Sequence, residues 1–245
     1  MLLNKIYLKF FIICIFFNIN LSAESLTLDL GNLESGSFVG RLIQMMVLLA
    51  VITLAPSIVV MVTSFTRIVV VFSFLRQALG TQQSPPNMVI VSLSLFLTAF
   101  IMAPCFEKAY QEGLSPLMEK KIKDDEALKK IMHPLEQFMI KNVREKDLKL
   151  FIDVSKIEQP KTPDDLPLKI LIPAFIISEL KRAFEIGFLI FMPFLVIDMV
   201  VASILMSMGM MMLPPVMIAM PFKIIFFVLV DGWQLICGSL INSYN

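Results

Sequence analysis

Histidine, tryptophan and charge are scarce in this sequence, and each scarcity removes a class of function. His133 is the only histidine and Trp233 the only tryptophan, and charged residues make up 17% of the 245. Catalysis needs a positioned acid, base or nucleophile. His133 lies in the most polar part of the chain, where a solvated role is expected, so no Ser/His/Asp set forms around it. No glycine loop able to cradle a phosphate and no quartet of metal ligands occurs either, so no enzyme, cofactor or metal centre is expected. A net charge of +1 leaves no basic footprint for nucleic acid. The three cysteines, Cys14, Cys105 and Cys237, have no CxxC spacing. Cys105 and Cys237 are predicted to be buried free thiols rather than a disulfide.

Apolar residues are abundant. They make up 57% of the chain, and the mean hydropathy is +0.81, which points to a membrane protein. The opening, MLLNKIYLKFFIICIFFNINLSAES, has Lys5 and Lys9, then an apolar core over 10–17, then a small residue at Ala23. That is the layout of a secretory signal over 1–23, followed by a short mature segment, 24–40. Residues 41–106 read as a first apolar helical hairpin. Within it, 42–66 carries no charge and is long enough to cross a membrane, with a kink predicted at Pro56. QALGTQQSPPN reads as a turn, and MVIVSLSLFLTAFIMA as a membrane helix.

Residues 107–169 differ sharply: they hold 13 acidic and 13 basic residues. This is a water-exposed insertion. Leu135, Phe138, Met139 and Val143 fall at helical spacing, predicting one amphipathic helix with Pro134 in its first turn. EQPKTPDDLP closes the insertion as a loop. Residues 170–245 return to apolar character, with helices predicted over 184–207 and 224–241. The fold class is therefore all-α, built of apolar hairpins with a charged extracytoplasmic helical insertion. An exported N-terminus would send 42–66 inward and leave Arg67 and Arg76 on the cytoplasmic side, following the positive-inside bias. The next helix would then deliver the insertion to the periplasmic side.

Two groups of residues are candidates for function. Glu179, Lys181, Arg182 and Glu185 fall on one broad arc of a helix in an apolar stretch. They read as a self-paired wet face, as partners between subunits with Asp198, Lys223 and Asp231, or as an ion relay. The second group is SMGMMMLPPVMIAMPF, for seven of the eighteen methionines lie between Met206 and Met220. Gly209 and Pro214-Pro215 interrupt helix there, so the segment forms a loop. Its thioethers read equally well as core filler or as the lining of a constriction made by Met208, Met210, Met211 and Met212 from several subunits. A Cu(I) site suits thioethers, but no cysteine or histidine lies near.

Three long segments carry a resemblance: PSIVVMVTSFTRIVVVFSFLRQALGTQQSPPN, PLEQFMIKNVREKDLKLF, and IPAFIISELKRAFEIGFLIFMPFLVIDMVVASILMSMGMMMLPP. They resemble the FliP family of flagellar biosynthetic proteins, which includes the matching export-gate subunit of virulence type III secretion systems. The likeness runs from about Arg41 onward, apart from a variable stretch near 120–130. It implies a ring of about five copies with FliR-like and FliQ-like subunits in the flagellar basal body of the inner membrane. Unfolded flagellar proteins would pass through the ring, with energy supplied elsewhere. It implies a gasket at Met210, Met211 and Met212, with Met208 close by, and an ion pair between subunits from Glu179 and Lys223. It also implies that helices apolar enough to span sit largely on the outer side of the membrane in the complex, with neighbours covering their apolar surface. The alternatives are a small-solute or metal-ion transporter and a passive basal-body scaffold.

Overall fold

The structure is a computed structural model that describes residues 38–155, 166–210 and 213–244. The expected signal over 1–23, most of the segment 24–40 and most of the loop EQPKTPDDLP lie outside the described residues. The chain divides into two units, Met1–Val51 and Ile52–Asn245. In the first, the described residues are 38–51, which open helix α1 (Phe38–Met61). Leu42, Ile43, Met45 and Met46 on it are exposed.

The second unit is helical throughout, with no strand among the described residues. α1 runs past Pro56 and ends at Met61, and the uncharged stretch is interrupted at Val62–Ser64. Thr63 explains it. Its hydroxyl donates to the Val60 carbonyl at 2.9 Å and accepts from the Phe65 N–H at 3.4 Å, competing with helical bonds. α2 (Phe65–Ala78) follows, then a turn, then α3 (Asn87–Ala109). A π-helical turn (Tyr110–Leu114) and a short α4 (Ser115–Met118) lead into the insertion. Its helices are α5 (Asp124–Asn142) and α6 (Glu145–Ser155). The long α7 (Leu168–Ser207) packs on α2 and forms a hairpin with α8 (Pro215–Leu229), which turns into α9 (Gly232–Asn242).

Proline sets three of these helix starts. Pro86, Pro167 and Pro214 each stand just before α3, α7 and α8 with extended backbone, because a fixed φ suits an entry point where no helical N–H is needed. α5 opens on Asp124, Asp125 and Glu126 and ends on Lys141, complementing its macrodipole.

Four expectations need correction. The helix predicted over 184–207 begins at Leu168, because Glu179 is turned inward and paired, so the charges do not interrupt the helix. The helix predicted over 224–241 is broken: Asp231 sits in the left-handed region at φ 52°, and α8 and α9 meet at a 64° bend. Pro134 lies inside α5, not at its first turn. The single amphipathic helix is two, for Val143 leaves helical conformation at ψ 145°. There Asn142 Nδ2 donates to the Phe138 carbonyl at 2.9 Å, and the Arg144 N–H donates to Ser178 Oγ at 3.0 Å.

The larger core joins α2, α3, α7, α8 and α9 through Ile68, Val71, Phe72, Leu75, Ile90, Ala183, Phe194, Phe227 and Leu240. A smaller one joins Val62 to Met139 of α5 and to Leu171 and Phe175 of α7. Cys105 is a buried free thiol and Cys237 a half-buried one. α2 and α7 approach closely at Gly187, where a Cβ would stand 2.5 Å from Cδ2 and 2.8 Å from Cγ of Phe74. Neither atom is a flexible tip. Gly187→Ala is therefore expected to destabilise the fold by about 1–3 kcal/mol, as overpacking does. Trp233 fluorescence melts in detergent will check this, with Phe74→Leu added to Gly187→Ala expected to restore part of the loss.

Candidate functional site

The hairpin of α7 and α8 carries an ionic cluster at each end. At the insertion end, Arg67 of α2 and Glu179 of α7 are both fully buried. Arg67 Nε donates to Glu179 Oε2 at 2.9 Å, and Nη2 donates to Oε1, a bidentate pair. Arg67 Nη1 donates to Ser243 Oγ at 2.9 Å. The guanidinium lies 3.7 Å from the Tyr244 ring centroid, a cation–π contact. The Tyr244 hydroxyl donates to Glu179 Oε2, and its ring stacks on Phe138 of α5 with centroids 5.8 Å apart. Burial first, then the Glu179 carboxylate, hold the Tyr244 phenol far above its ordinary pKa, so it remains a donor.

This cluster gives Arg67 a tertiary role that its place in the sequence did not assign. Arg67 and Arg76 sit near opposite ends of α2, and Arg67 stands beside Tyr244 and the insertion's Phe138, not at the far end with Arg76. The four residues expected on one arc also separate. Glu179 faces inward, Lys181 and Glu185 form an exposed contact at 3.8 Å, and Arg182 is half-buried. The Arg67 and Tyr244 partners were missed by sequence reasoning. The available signal was a lone arginine in an apolar run, which demands a counter-charge.

Beside Glu179, Ser178 anchors α6. Its hydroxyl donates to Asp147 Oδ2 at 2.6 Å, while Arg144 donates to both Asp147 oxygens at 2.8 and 2.9 Å. Burial pushes the Asp147 carboxyl up, but the bonds from Ser178 and Arg144 and the charges of Arg144 and Lys181 outweigh it, leaving its pKa below the ordinary 3.8.

At the other end, Lys223 of α8 is buried and donates to Asp198 Oδ2 of α7 at 2.6 Å and to the Ala78 carbonyl, the last of α2, at 3.0 Å. Asp198 Oδ1 is buried without a hydrogen bond among the described residues. Within this chain Glu179 and Lys223 thus pair with Arg67 and Asp198, at opposite ends of α2, and not with each other. Asp231 is exposed at the α8–α9 bend.

The methionine loop leaves α7 next to this second cluster; an added Cβ on Gly80, just past α2, would lie 4.0 Å from Val216 Cγ1 of α8. α7 ends in a Schellman cap: the Met210 N–H donates to the Leu205 carbonyl at 3.0 Å and the Gly209 N–H to the Met206 carbonyl at 3.1 Å. This motif needs a left-handed residue, supplied by Gly209 at φ +72°. Pro214 is extended, and α8 starts at Pro215. Met206, Met208 and Met210 are 60%, 66% and 43% exposed; Met211 and Met212 lie outside the described residues. An apolar groove of about 510 Å³, lined by Val196, Val200, Ile204, Ile218 and Phe222, runs beside the loop between α7 and α8.

Among the described residues, two helices can cross a membrane by length and composition, or three if the bent α8–α9 pair counts as one. With no strand among the described residues, this is an all-α membrane protein. A family model described as the FliP family matches residues 48–240. The chain is 57% identical over 217 residues to flagellar biosynthetic protein FliP of Caulobacter vibrioides, covering 87% of this chain and 82% of that one. It is 56% identical over 206 residues to its Bacillus subtilis counterpart, covering 84% and 93%. Against the Aquifex aeolicus protein of the same name it is 50% identical over 205 residues, covering 83% and 86%. The chain belongs to the FliP family.

Two outcomes follow from the buried groups. Arg67→Ala strands Glu179 in the core and is expected to cost about 3–5 kcal/mol of stability, whereas Arg67→Met combined with Glu179→Leu costs far less; chemical denaturation in detergent measures both. Asp147, with its folded pKa depressed, contributes stability that is present above pH 3.8 and is lost as pH falls through the folded value. Melts of wild type and Asp147→Asn are therefore expected to differ at neutral pH and to converge in acid.

Proposed function

We propose that this chain is a protein-conducting subunit of the flagellar type III export gate in the bacterial inner membrane. About five copies would form a ring with FliR-like and FliQ-like subunits, with the insertion on the periplasmic side, and unfolded flagellar proteins would cross through it. Methionines from each copy would meet at the axis and seal the conduit until cargo parts them. The observation that carries this reading is the capped loop after α7. Its backbone is specified by Gly209 and Pro214, yet Met208 and Met210 stay exposed instead of filling a core. Thioether side chains have three rotatable bonds and adapt to irregular surfaces. An apolar ring of them excludes ions by dewetting while yielding to a passing chain of any sequence.

Candidate contacts between subunits are Lys181, Arg182, Glu185 and Asp231, whose side chains remain exposed or half-buried. Glu179 and Lys223 would reach a neighbour only by giving up Arg67 and Asp198.

The test replaces Met208, Met210, Met211 and Met212 with alanine. Ion conductance across membranes carrying the assembled complex is expected to rise while the complex still purifies intact. Intact complexes with wild-type conductance would remove the gasket role.

A further inference from the structure

The methionine loop carries a second chemistry in the same side chains. No cysteine, histidine, tryptophan or charged residue occurs over 199–222, so thioethers are the readily oxidised groups of that stretch. The fold sorts the methionines by access. Met206, Met208 and Met210 are exposed, whereas Met102 of α3 and Met139 of α5 are fully buried. Other exposed methionines stand on helix faces among large apolar side chains, as Met199 does beside Val196 and Val200. Met208 and Met210 instead lie at and just past the C-terminal end of α7, where the chain has left the helix.

The consequence of adding an oxygen there depends on which hydrogen-bond donors are free. The N–H groups of Met208, Gly209 and Met210 already go to the carbonyls of Ile204, Met206 and Leu205, at 3.1, 3.1 and 3.0 Å. The Ser207 hydroxyl donates to the Ile204 carbonyl at 2.7 Å. The nearest charged groups in sequence, Asp198 and Lys223, are joined to each other at 2.6 Å. A sulfoxide is polar and its oxygen is a good acceptor. Left without a donor in apolar surroundings it is costly. With these donors engaged, a sulfoxide oxygen on Met208 or Met210 has to bond to water.

We propose that Met208 and Met210 form an oxidation site that controls the seal: their sulfoxides make the closed gate conduct ions, and reduction closes it again. This inference rests on the gate reading. The oxidant is hydrogen peroxide, small and neutral enough to reach a narrow constriction. A lone pair of the thioether sulfur attacks one peroxide oxygen, and the O–O bond breaks. The second oxygen leaves as water once it has taken the proton of the transferred oxygen. Sulfur loses two electrons and the peroxide gains them. Methionine sulfoxide reductase, drawing on a dithiol, returns the thioether and yields a disulfide and water. An apolar constriction excludes ions by dewetting. A ring of sulfoxides, each holding water at its oxygen, stays wet.

The test uses the complete export complex in lipid vesicles, with Cys14→Ser, Cys105→Ser and Cys237→Ser in this chain to remove its thiol chemistry. Hydrogen peroxide is added, sulfoxides are located by peptide mass spectrometry, and ion conductance is followed. Met208 and Met210 are expected to oxidise at least tenfold faster than Met102 and Met139. Conductance is expected to rise at least tenfold with them, and to fall back after treatment with methionine sulfoxide reductase and dithiothreitol. A second complex carries Met208→Leu, Met210→Leu, Met211→Leu and Met212→Leu. Whatever its resting conductance, peroxide is expected to leave that value unchanged, which assigns the response to this loop and not to other subunits. Four results would each overturn the inference: loop methionines that stay reduced, oxidised loops with unaltered conductance, a leucine complex that responds like its parent, or a leak that outlasts repair. The alanine variant of the gate test is run alongside. If it leaks while the oxidised complex does not, the inference fails and the gate reading stands. If it stays sealed, the gate reading fails, and this inference with it.

Discussion

The fold depends first on an arginine that cannot be left alone. Arg67 lies in an apolar stretch with no acidic residue near it in sequence, and its partner, Glu179, is 112 residues away. Removing two such charges from water costs several kcal/mol apiece, recovered only when geometry is good and every remaining donor and acceptor is used. Here the bidentate pair uses two guanidinium nitrogens, Ser243 takes the third, and the Tyr244 ring covers the cation while its hydroxyl serves the carboxylate. The cluster draws four parts of the chain to one point: α2, α7, the segment after α9, and the insertion through Phe138. Apolar packing alone specifies position poorly among helices that are hydrophobic on most sides. An ion pair with one satisfactory arrangement restricts how α2 slides along α7, and the close contact at Gly187 restricts how far the two stand apart.

The second cluster acts on the same hairpin from its other end. Lys223 joins Asp198 and also meets the last carbonyl of α2, where a cation complements the helix dipole. α7 and α8 are thus tied at the end from which the methionine loop emerges, and the loop is set by Gly209 and Pro214. Flexible side chains thus follow a capped helix end and precede an extended proline. For the seal proposed above, defined loop ends would bring adaptable side chains back to one place after each passage.

Much of this was legible from residue patterns, and the misses have physical causes. Long uncharged runs became helices, and Gly209 with Pro214-Pro215 marked the loop, because these signals are local. The insertion stood out by charge. Pairing was not legible: Arg67 with Glu179 is tertiary, and the arc of Glu179, Lys181, Arg182 and Glu185 concealed that one member turns inward. Reading these charges as an interruption of the apolar stretch placed the start of α7 sixteen residues too late. The bend at Asp231-Gly232 did carry a signal, an aspartate and a glycine side by side in an apolar run, but hydropathy over the wider window masked it. Pro134 misled in the opposite direction, since tertiary packing kept α5 helical through it.

Length sets a final constraint. At 1.5 Å per residue, the 40-residue α7 reaches roughly 60 Å, about twice a hydrocarbon core. No tilt within the usual range places all of it in lipid. Yet its exposed side chains are large and apolar along most of its length, from Phe184 and Phe188 through Leu195 to Ile204 and Met206. Apolar surface beyond the reach of lipid has to be covered by protein. Its two buried ion pairs are closed within one chain, with Asp198 Oδ1 alone left without a hydrogen bond among their carboxylate oxygens, whereas its apolar surface is not covered. That division suits a subunit whose fold is complete alone and whose hydrophobic burial is completed by neighbours.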